Sequence, residues 1–217
     1  IVVVHLYGLP ADMDPIMDLA KSRNIFVVED AAQAIGATYN GKKVGSIGDF
    51  GCFSFHTQKN MTTLGEGGML TLNNDDLADL VGGLRHNGAR SFSKNRHRYW
   101  VPAMSNFGFD INGVWPHNFC IGEIQCAVGL ELLKRLDQMN QDRCSRACKI
   151  FEALKDYPEL SFQKIPEGRT HVFHLLAARY DGSNWGKTRD DFLDLLVFKH
   201  KVQAIVQYCP LYRYPLF

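Results

Sequence analysis

Four short stretches of this chain hold the side chains best able to do chemistry, and they follow one another closely: Asp30-Ala31-Ala32-Gln33-Ala34, Gly48-Asp49, Phe53-Ser54-Phe55 followed by Lys59, and Gly65-Glu66-Gly67-Gly68. An amine, a carboxylate and a hydroxyl are the elementary tools of nucleophilic and acid/base chemistry. Taken singly, each stretch also has an ordinary reading. A lone lysine is usually a solvated surface charge, and an aspartate after a strand is often a helix cap. A glycine cluster usually marks a turn, and a serine between two phenylalanines can be a buried hydroxyl bonded to backbone. Their joint spacing is what these separate readings leave unexplained.

The elements that must position these groups follow from hydrophobic periodicity. Ile1 to Leu6 reads as a buried strand, Asp12 to Ser22 as a helix through Met13, Ile16, Met17 and Ala20, and Ile25 to Val28 as a second buried strand. Asp12 or Asp14 is the expected capping acid. Strand, helix, strand over this distance predicts a parallel pair with a right-handed crossover. Open sheets of that kind bind ligands at the carboxyl ends of their strands. Asp30 falls at such an end, which makes it a site candidate by position alone. Phe53-Ser54-Phe55 and Gly68 to Leu72 read as further strands, and Asn74 to Leu84 as a helix. The chain from Asn87 to Trp115 lacks clean periodicity and reads as an extended loop. From Gly122 to Leu154 the pattern is helical, with Ile124, Val128, Leu132, Leu136 and Met139 on one stripe. Val172 to Tyr180 reads as a strand, Thr188 to His200 as a helix and Val202 to Val206 as a strand.

Composition narrows the class. The 217 residues are 46% hydrophobic and 22% charged, as in an ordinary α/β protein with a substantial core. A net charge of +1 argues against nucleic acid or anionic membrane as partner. Small ligands are the better expectation. The six cysteines (Cys52, Cys120, Cys126, Cys144, Cys148, Cys209) form no C-x-x-C pair and are expected to be reduced, mostly buried thiols of a cytosolic protein. No apolar run approaches the roughly 20 residues that span a bilayer, and no signal peptide is visible, so a cytoplasmic location is expected. An opening strand calls for neighbours that precede it, and the apolar end Tyr214-Pro215-Leu216-Phe217 would be sticky if left free. The chain is therefore expected to be a fragment of a longer protein.

The four stretches together closely resemble the DegT/DnrJ/EryC1/StrS family of sugar aminotransferases, which depend on pyridoxal phosphate (PLP). That family shows E-D-A-A-Q-A after a valine-bearing strand, G-D-x-x-x-F-S-F-x-x-x-K and G-E-G-G in the same order. This chain has Val27-Val28-Glu29-Asp30-Ala31-Ala32-Gln33-Ala34, Gly48-Asp49, Phe53-Ser54-Phe55, Lys59 and Gly65-Glu66-Gly67-Gly68. His5-Leu6-Tyr7-Gly8 and Pro10 to Asp14 also look like the family's preceding segment, and the resemblance runs from His5 to the C-terminus. It implies that Lys59 carries PLP as a Schiff base and later moves a proton between the substrate Cα and the cofactor C4′. It further implies that Asp30 pairs with the pyridine nitrogen, Gln33 bonds the ring oxygen and Ser54 donates to the phosphate. In Pro116-His117-Asn118-Phe119-Cys120-Ile121-Gly122-Glu123, similar to the family's G-Y-N-Y-R-M-x-E, Asn118 matches the asparagine that reaches the phosphate of the neighbouring subunit's site. A homodimer with shared active sites follows from that match.

The resemblance also has departures. Cys120 stands where the family usually has arginine, His86-Asn87 inverts the usual order before Gly88, and Gln207 and Tyr212 replace histidines of H-Y-x-P-x-H. These bear on the substrate more than on cofactor chemistry. In the family, further phosphate-holding groups and the aromatic residue stacked on the pyridine lie upstream of the segment matching Ile1. The histidines show no H-x-x-x-H or H-E-x-x-H pattern, so no metal is expected. Arg90 to Arg98 is expected to be a solvated loop, with contact to a nucleotide-sugar diphosphate as the alternative.

The expectation is thus an α/β chain of PLP fold type I: a mostly parallel sheet flanked by helices, with an incomplete smaller α+β domain. Residues 1–121 would belong to the large PLP-binding domain, 122–155 to a linking helix and 156–217 to the small C-terminal domain. The resemblance implies a reaction that moves an amino group from an amino acid, with glutamate the expected donor, to a keto group of a nucleotide-linked sugar. One alternative is a PLP-dependent sugar dehydratase, in which histidine replaces the lysine, and Lys59 argues against it. The other is a non-catalytic truncated relative.

Overall fold

β1 (Val2–Val4), α1 (Met13–Arg23) and β2 (Val28–Asp30) form the expected βαβ unit, with β1 and β2 parallel, Val2 opposite Val28 and Val4 opposite Asp30. However, β2 begins where the expected Ile25–Val28 strand ends, and Val2, Val4, Ile25 and Phe26 are exposed rather than buried. The helix forms where acid precedes base: Asp14 lies in its first turn and Lys21 and Arg23 in its last, complementing the helix dipole. Asn24 closes it in the left-handed conformation, its N–H bonded to the carbonyls of Ala20 and Lys21. Asp12 occupies the N-cap position, but its side chain makes no cap bond. Its Oδ1 instead accepts from the Tyr39 hydroxyl at 2.9 Å and pairs with Arg169 at 3.1 Å, and those partners outcompete the helix amides. Met13 and Ala20 bury themselves against Val3, Val27 and Tyr39, with Ile16, Met17 and Ile47 around them.

The computed structural model describes residues 1–88 and 113–216. The chain divides into two units, Ile1–Cys148 with Lys164–Leu176, and Lys149–Gln163 with Ala177–Phe217. In the first, β5 (Phe50–Ser54) pairs in parallel with β2, and β6 (Gly68–Leu72) pairs antiparallel with β5. The sheet order is β1-β2-β5-β6, with β2 and β5 central. A short antiparallel pair, β3 (Thr38–Tyr39) and β4 (Lys42–Lys43), lies between β2 and β5 in sequence. α2 (Asp75–Arg85) follows β6 and is capped by Asn74, whose Oδ1 accepts from Leu77 N–H at 3.0 Å. A second cluster joins Ala31, Ala34, Ala37, Val44 and Val172, and a third joins Phe55, Met61 and Leu136.

The helical stretch from Gly122 is two helices, α3 (Glu123–Leu133) and α4 (Leu136–Leu154). Between them Arg135 N–H bonds back to Leu132 O, a tightened turn that interrupts the run. The predicted stripe grades from Ile124, 73% exposed, to Leu136, 6% exposed.

In the second unit, β7 (Leu160–Phe162) pairs antiparallel with β8 (Ala178–Tyr180). α5 (Arg189–Asp194) starts with a capping box between Thr188 and Asp191 and continues into a wider turn over Leu195–Lys199. Three expectations need correction here. Only Ala178–Tyr180 of the predicted Val172–Tyr180 strand is a strand, because the peptides of Val172 and Leu175 are bonded to Gly8 O and Tyr7 O instead of to a ladder. Val202 to Val206 is not a strand: Val202 N–H bonds Leu196 O, and Ile205 and Val206 are exposed. High β-propensity makes no strand without a partner. The six cysteines are free thiols, but four are exposed and Cys52 and Cys144 only partly buried. The extended loop expected over Asn87 to Trp115, with its basic stretch, lies mostly outside the described residues.

Gly51 shows how tightly β5 is packed. An added Cβ would overlap the Gly45 carbonyl and Cα, all backbone that cannot rotate away. Gly51→Ala should cost about 1–3 kcal/mol or more. Gly82→Ala, on α2 with nothing within 4 Å of the new methyl, should stabilise by roughly 0.5–1 kcal/mol. Denaturant unfolding of the two variants should move in opposite directions, and a common direction contradicts this packing.

Candidate active site

Asp30 ends the central strand β2, between Val4 of β1 and Cys52 of β5. Its carbonyl accepts from His5 N–H at 3.1 Å, and its Oδ1 accepts from Ala32 N–H at 3.1 Å. That leaves Oδ2 the freer oxygen of a half-buried carboxylate. Burial, and then the charge of Asp30, push the neighbouring Cys52 thiol up.

Strand alternation turns Glu29 to the opposite face, where it is wholly buried. Its Oε1 accepts from Ile47 N–H and Gly48 N–H, both at 2.7 Å. Its Oε2 accepts from Gly45 N–H at 2.8 Å and His5 Nε2–H at 2.9 Å. His5 Nδ1 accepts from Ala11 N–H at 3.1 Å, which places the ring proton on Nε2. Burial alone would raise the Glu29 carboxyl. The bonds from His5, Gly48, Gly45 and Ile47 outweigh burial and hold it below the usual carboxylate range. Asp49 works beside it: its Oδ2 accepts from Val27 N–H at 2.7 Å while its own N–H returns to Val27 O at 2.9 Å. Neither His5 nor Glu29 was singled out by sequence. The available signal was an acid in a buried strand on the face opposite Asp30.

Gln33 lies in the turn beyond β2. Its Oε1 accepts from Tyr7 N–H at 2.7 Å, so its Nε2 is the end left to donate. Ser54 ends β5, and its Oγ accepts from His56 N–H at 3.3 Å, leaving the hydroxyl proton to be donated elsewhere. The chain then turns through His56, whose carbonyl accepts from Lys59 N–H at 3.0 Å. Lys59 is half-buried. The glycine run lies against this turn: Phe55 N–H bonds Gly67 O at 2.8 Å, Thr57 N–H bonds Gly65 O at 2.9 Å, and Gly68 pairs with Ser54. A Cβ at Gly67 would overlap Thr63 Oγ1, so glycine is needed for close approach.

Asp30, Gln33, Ser54 and Lys59 therefore leave the carboxyl ends of two adjacent parallel strands, β2 and β5. Asn118 is carried elsewhere. It is exposed and bridged antiparallel to His86 at the end of α2, where Phe119 N–H bonds Arg85 O at 2.9 Å. Among the described residues, no group of three or more His, Cys, Asp or Glu side chains could hold a metal ion, and no helix is long and apolar enough to cross a membrane.

Beside Lys59, Asn60 is buried and bonds in three directions. Its Nδ2 donates to Val172 O at 2.9 Å and to Asn140 Oδ1 at 3.2 Å, and its Oδ1 meets His174 Nδ1 at 3.3 Å. Burial, and then the cationic charges of Lys59 and Arg143, lower His174 to about 4. His171 is also lowered to about 4, by burial that a bond with Gly8 only partly opposes.

This mixed sheet, with its candidate site residues at the carboxyl ends of β2 and β5, is that of the fold-type-I PLP-dependent transferases. The chain belongs to the DegT/DnrJ/EryC1/StrS aminotransferase family, whose model matches residues 1–217. It is 33% identical over 220 residues to the spore coat polysaccharide biosynthesis protein SpsC of Bacillus subtilis, covering 100% of this chain and 54% of SpsC. It is 49% identical over 138 residues to the GDP-perosamine synthase of Caulobacter vibrioides, covering 64% of this chain and 33% of that enzyme. Among solved structures it is similar to DesV of S. venezuelae in complex with a ketimine intermediate, with a TM-score of 0.81 at 28% identity over 99% of this chain and 52% of DesV. The chain spans about half the length of curated relatives such as SpsC.

The Glu29 cluster makes a pH-dependent prediction. In Glu29→Gln an amide NH2 would face backbone donors, so the variant should lose on the order of 2–4 kcal/mol at pH 7. Because the folded carboxyl titrates below its ordinary 4.5, its stabilisation is full above pH 4.5 and is lost as pH falls through the lower folded value. Denaturant curves of the two proteins should converge below about pH 4.5. A gap that stays constant to pH 3 would contradict the assignment.

Proposed function

We propose that this chain carries the PLP-binding core of an aminotransferase that moves an amino group from an amino acid, glutamate in our reading, to a keto group of a nucleotide-linked sugar. We place it in the cytoplasm, as a homodimer with shared active sites. The observation that carries the proposal is Lys59, just beyond the end of β5 that Ser54 forms, while Asp30 ends the adjacent β2 and Gln33 follows it. The donor set fits PLP: a carboxylate for a protonated ring nitrogen, an amide N–H for a ring oxygen, a hydroxyl for a phosphate and an amine for the aldehyde. The family match supports the cofactor, and the name of the Caulobacter relative supports a nucleotide sugar.

PLP, when bound, supplies the electron sink for a carbanion at the substrate Cα. Asp30 would hold the proton on the ring nitrogen, a role that suits a carboxylate fixed by Ala32 N–H on one oxygen and freer on the other. Gln33 Nε2 would donate to the ring oxygen and the Ser54 hydroxyl to the phosphate. Lys59 would anchor the cofactor and, once released by the amino donor, carry a proton between Cα and C4′. A lysine at this position disfavours the dehydratase alternative, in which histidine stands there. Asn118, on its own exposed segment beside α2, would serve the partner's site.

The intact protein with PLP should show a visible cofactor band that borohydride fixes onto the Lys59 peptide. Absence of a band, or labelling of another lysine, overturns the reading. Shared sites are tested by mixing subunits that carry Lys59→Ala and Asn118→Ala separately. Activity should return to about a quarter of wild type, as random pairing leaves one intact site in the mixed dimers. No recovery overturns the shared site.

A further inference from the structure

Two hydrogen-bond routes run from the residue after Lys59 to the neighbourhood of Gln33. In the first, Asn60 Nδ2 donates to Val172 O, Val172 N–H to Gly8 O and Leu175 N–H to Tyr7 O, while Tyr7 N–H holds Gln33 Oε1. In the second, Asn60 Nδ2 donates to Asn140 Oδ1, and Asn140 Nδ2 donates to Ile35 O at 3.0 Å. Both routes pass through the Asn60 amide and depend on which way round it sits.

That orientation is set by chemistry. Asn60 Nδ2 faces two acceptors, so Oδ1 must be the end that faces His174. A carbonyl oxygen only accepts, so His174 carries its proton on Nδ1 and donates it. The imidazole is held in turn by its own segment. Thr170 N–H bonds Thr38 O, Val172 N–H bonds Gly8 O, and Arg143 Nη1 donates to Phe173 O at 3.2 Å. The charged groups that bear on His174 are Lys59 and Arg143, both cations, and they oppose a second proton on the ring. An uncharged ring of one tautomer is therefore the form built into this corner.

We propose that His174 is a positioning residue for Lys59: by donating Nδ1–H to Asn60 it locks the amide that ties the lysine-bearing turn to the Gln33 turn. This rests on the functional reading of Lys59 and Gln33 as cofactor groups, and adds how their separation is held. The segment that supplies His174 lies more than a hundred residues from Lys59 in sequence, so the lysine's placement is set by a strap from a distant part of the chain.

The test compares His174→Asn, whose amide N–H can replace Nδ1–H, with His174→Leu, which has no donor, and His174→Gln, whose amide lies one methylene too far. Two readouts are taken on the intact protein. The first needs no cofactor: the rate at which acetic anhydride labels Lys59 in PLP-free protein, relative to the exposed Lys134, read by peptide mass. Leu and Gln variants should label Lys59 about tenfold faster, the factor that one buried hydrogen bond is worth, and Asn should match wild type. The second is borohydride fixation of PLP onto Lys59, which should slow by a similar factor in Leu and Gln and recover in Asn. Variants that melt earlier yet keep wild-type labelling and fixation would overturn the proposal, since that pattern belongs to a purely structural histidine. If Leu fails to fold, the contrast between Asn and Gln decides. A wild-type protein that fixes no PLP overturns the functional reading, while the labelling rates still decide whether His174 places Lys59.

Discussion

A single buried carboxylate organises this structure. Glu29 is removed from water, which is costly for an ion unless its oxygens are fully bonded, and here each oxygen accepts two N–H groups. Those donors come from separate parts of the chain: His5 after β1, and Gly45, Ile47 and Gly48 on the path into β5. Gly45 can serve because it takes a positive φ of 82° and lies where a Cβ would overlap the Phe53 ring. The carboxylate therefore fixes how β1, β2 and the approach to β5 meet, and with that the offset between Asp30 at one strand end and Ser54 at the next. Asp49, exchanging bonds with Val27, closes the same joint from its other side. The Glu-Asp pair splits between faces, with Glu29 holding the sheet and Asp30 at the candidate-site end of β2.

Much of this was legible in sequence where the physics is local. The βαβ unit could be read because α1 buries Met13 and Ala20 at helical spacing and Val2 to Val4 is an apolar run, although β2 itself is Val28-Glu29-Asp30 and escaped the apolar rule. Asp30 could be placed because a parallel sheet dictates which strand ends bind ligands. β6 and α2 have caps and turns of their own. What escaped depends on pairing at long range. The Val172–Tyr180 stretch reads as a strand, but the peptides of Val172 and Leu175 are taken by Gly8 and Tyr7, more than a hundred residues earlier, as that of Thr170 just before it is by Thr38. The predicted helix from Gly122 hid a break at Lys134 and Arg135, because the hydrophobic period continues across it. Asp12 was expected as a cap and became a ligand of Tyr39 and Arg169, partners invisible to any local rule.

α3 has a different character. It carries apolar residues on several sides, with Glu123, Gln125 and Glu131 among them. Gly129 on α3 packs close to Thr63, while Ile124, Leu130 and Leu133 remain 52–73% exposed. The segment just before it holds Trp115 at 81% and Phe119 at 69% exposure, flanking Asn118. Clustered exposure of large apolar groups marks contact surfaces rather than solvent faces. In this chain, which spans about half the length of relatives such as SpsC, these exposed groups lie on either side of Asn118 in sequence.

The electrostatics of the candidate site are also divided. At the β2 end burial, and then the negative charge of Asp30, push the Cys52 thiol up, and at the Lys59 end burial, and then two cations, lower His174 to about 4. A site with an anionic pole at one strand end and a cationic pole beyond the next suits a flat ligand with a protonated nitrogen at one side and an electrophilic carbon toward the other. A protonated His174 would add a third positive charge beside Lys59 and Arg143. Holding that imidazole neutral while using its remaining N–H to orient Asn60 gives the corner a rigid hydrogen bond at no cost in charge. The polar contacts of Asn60 thus tie the turn that carries Lys59 through neutral groups.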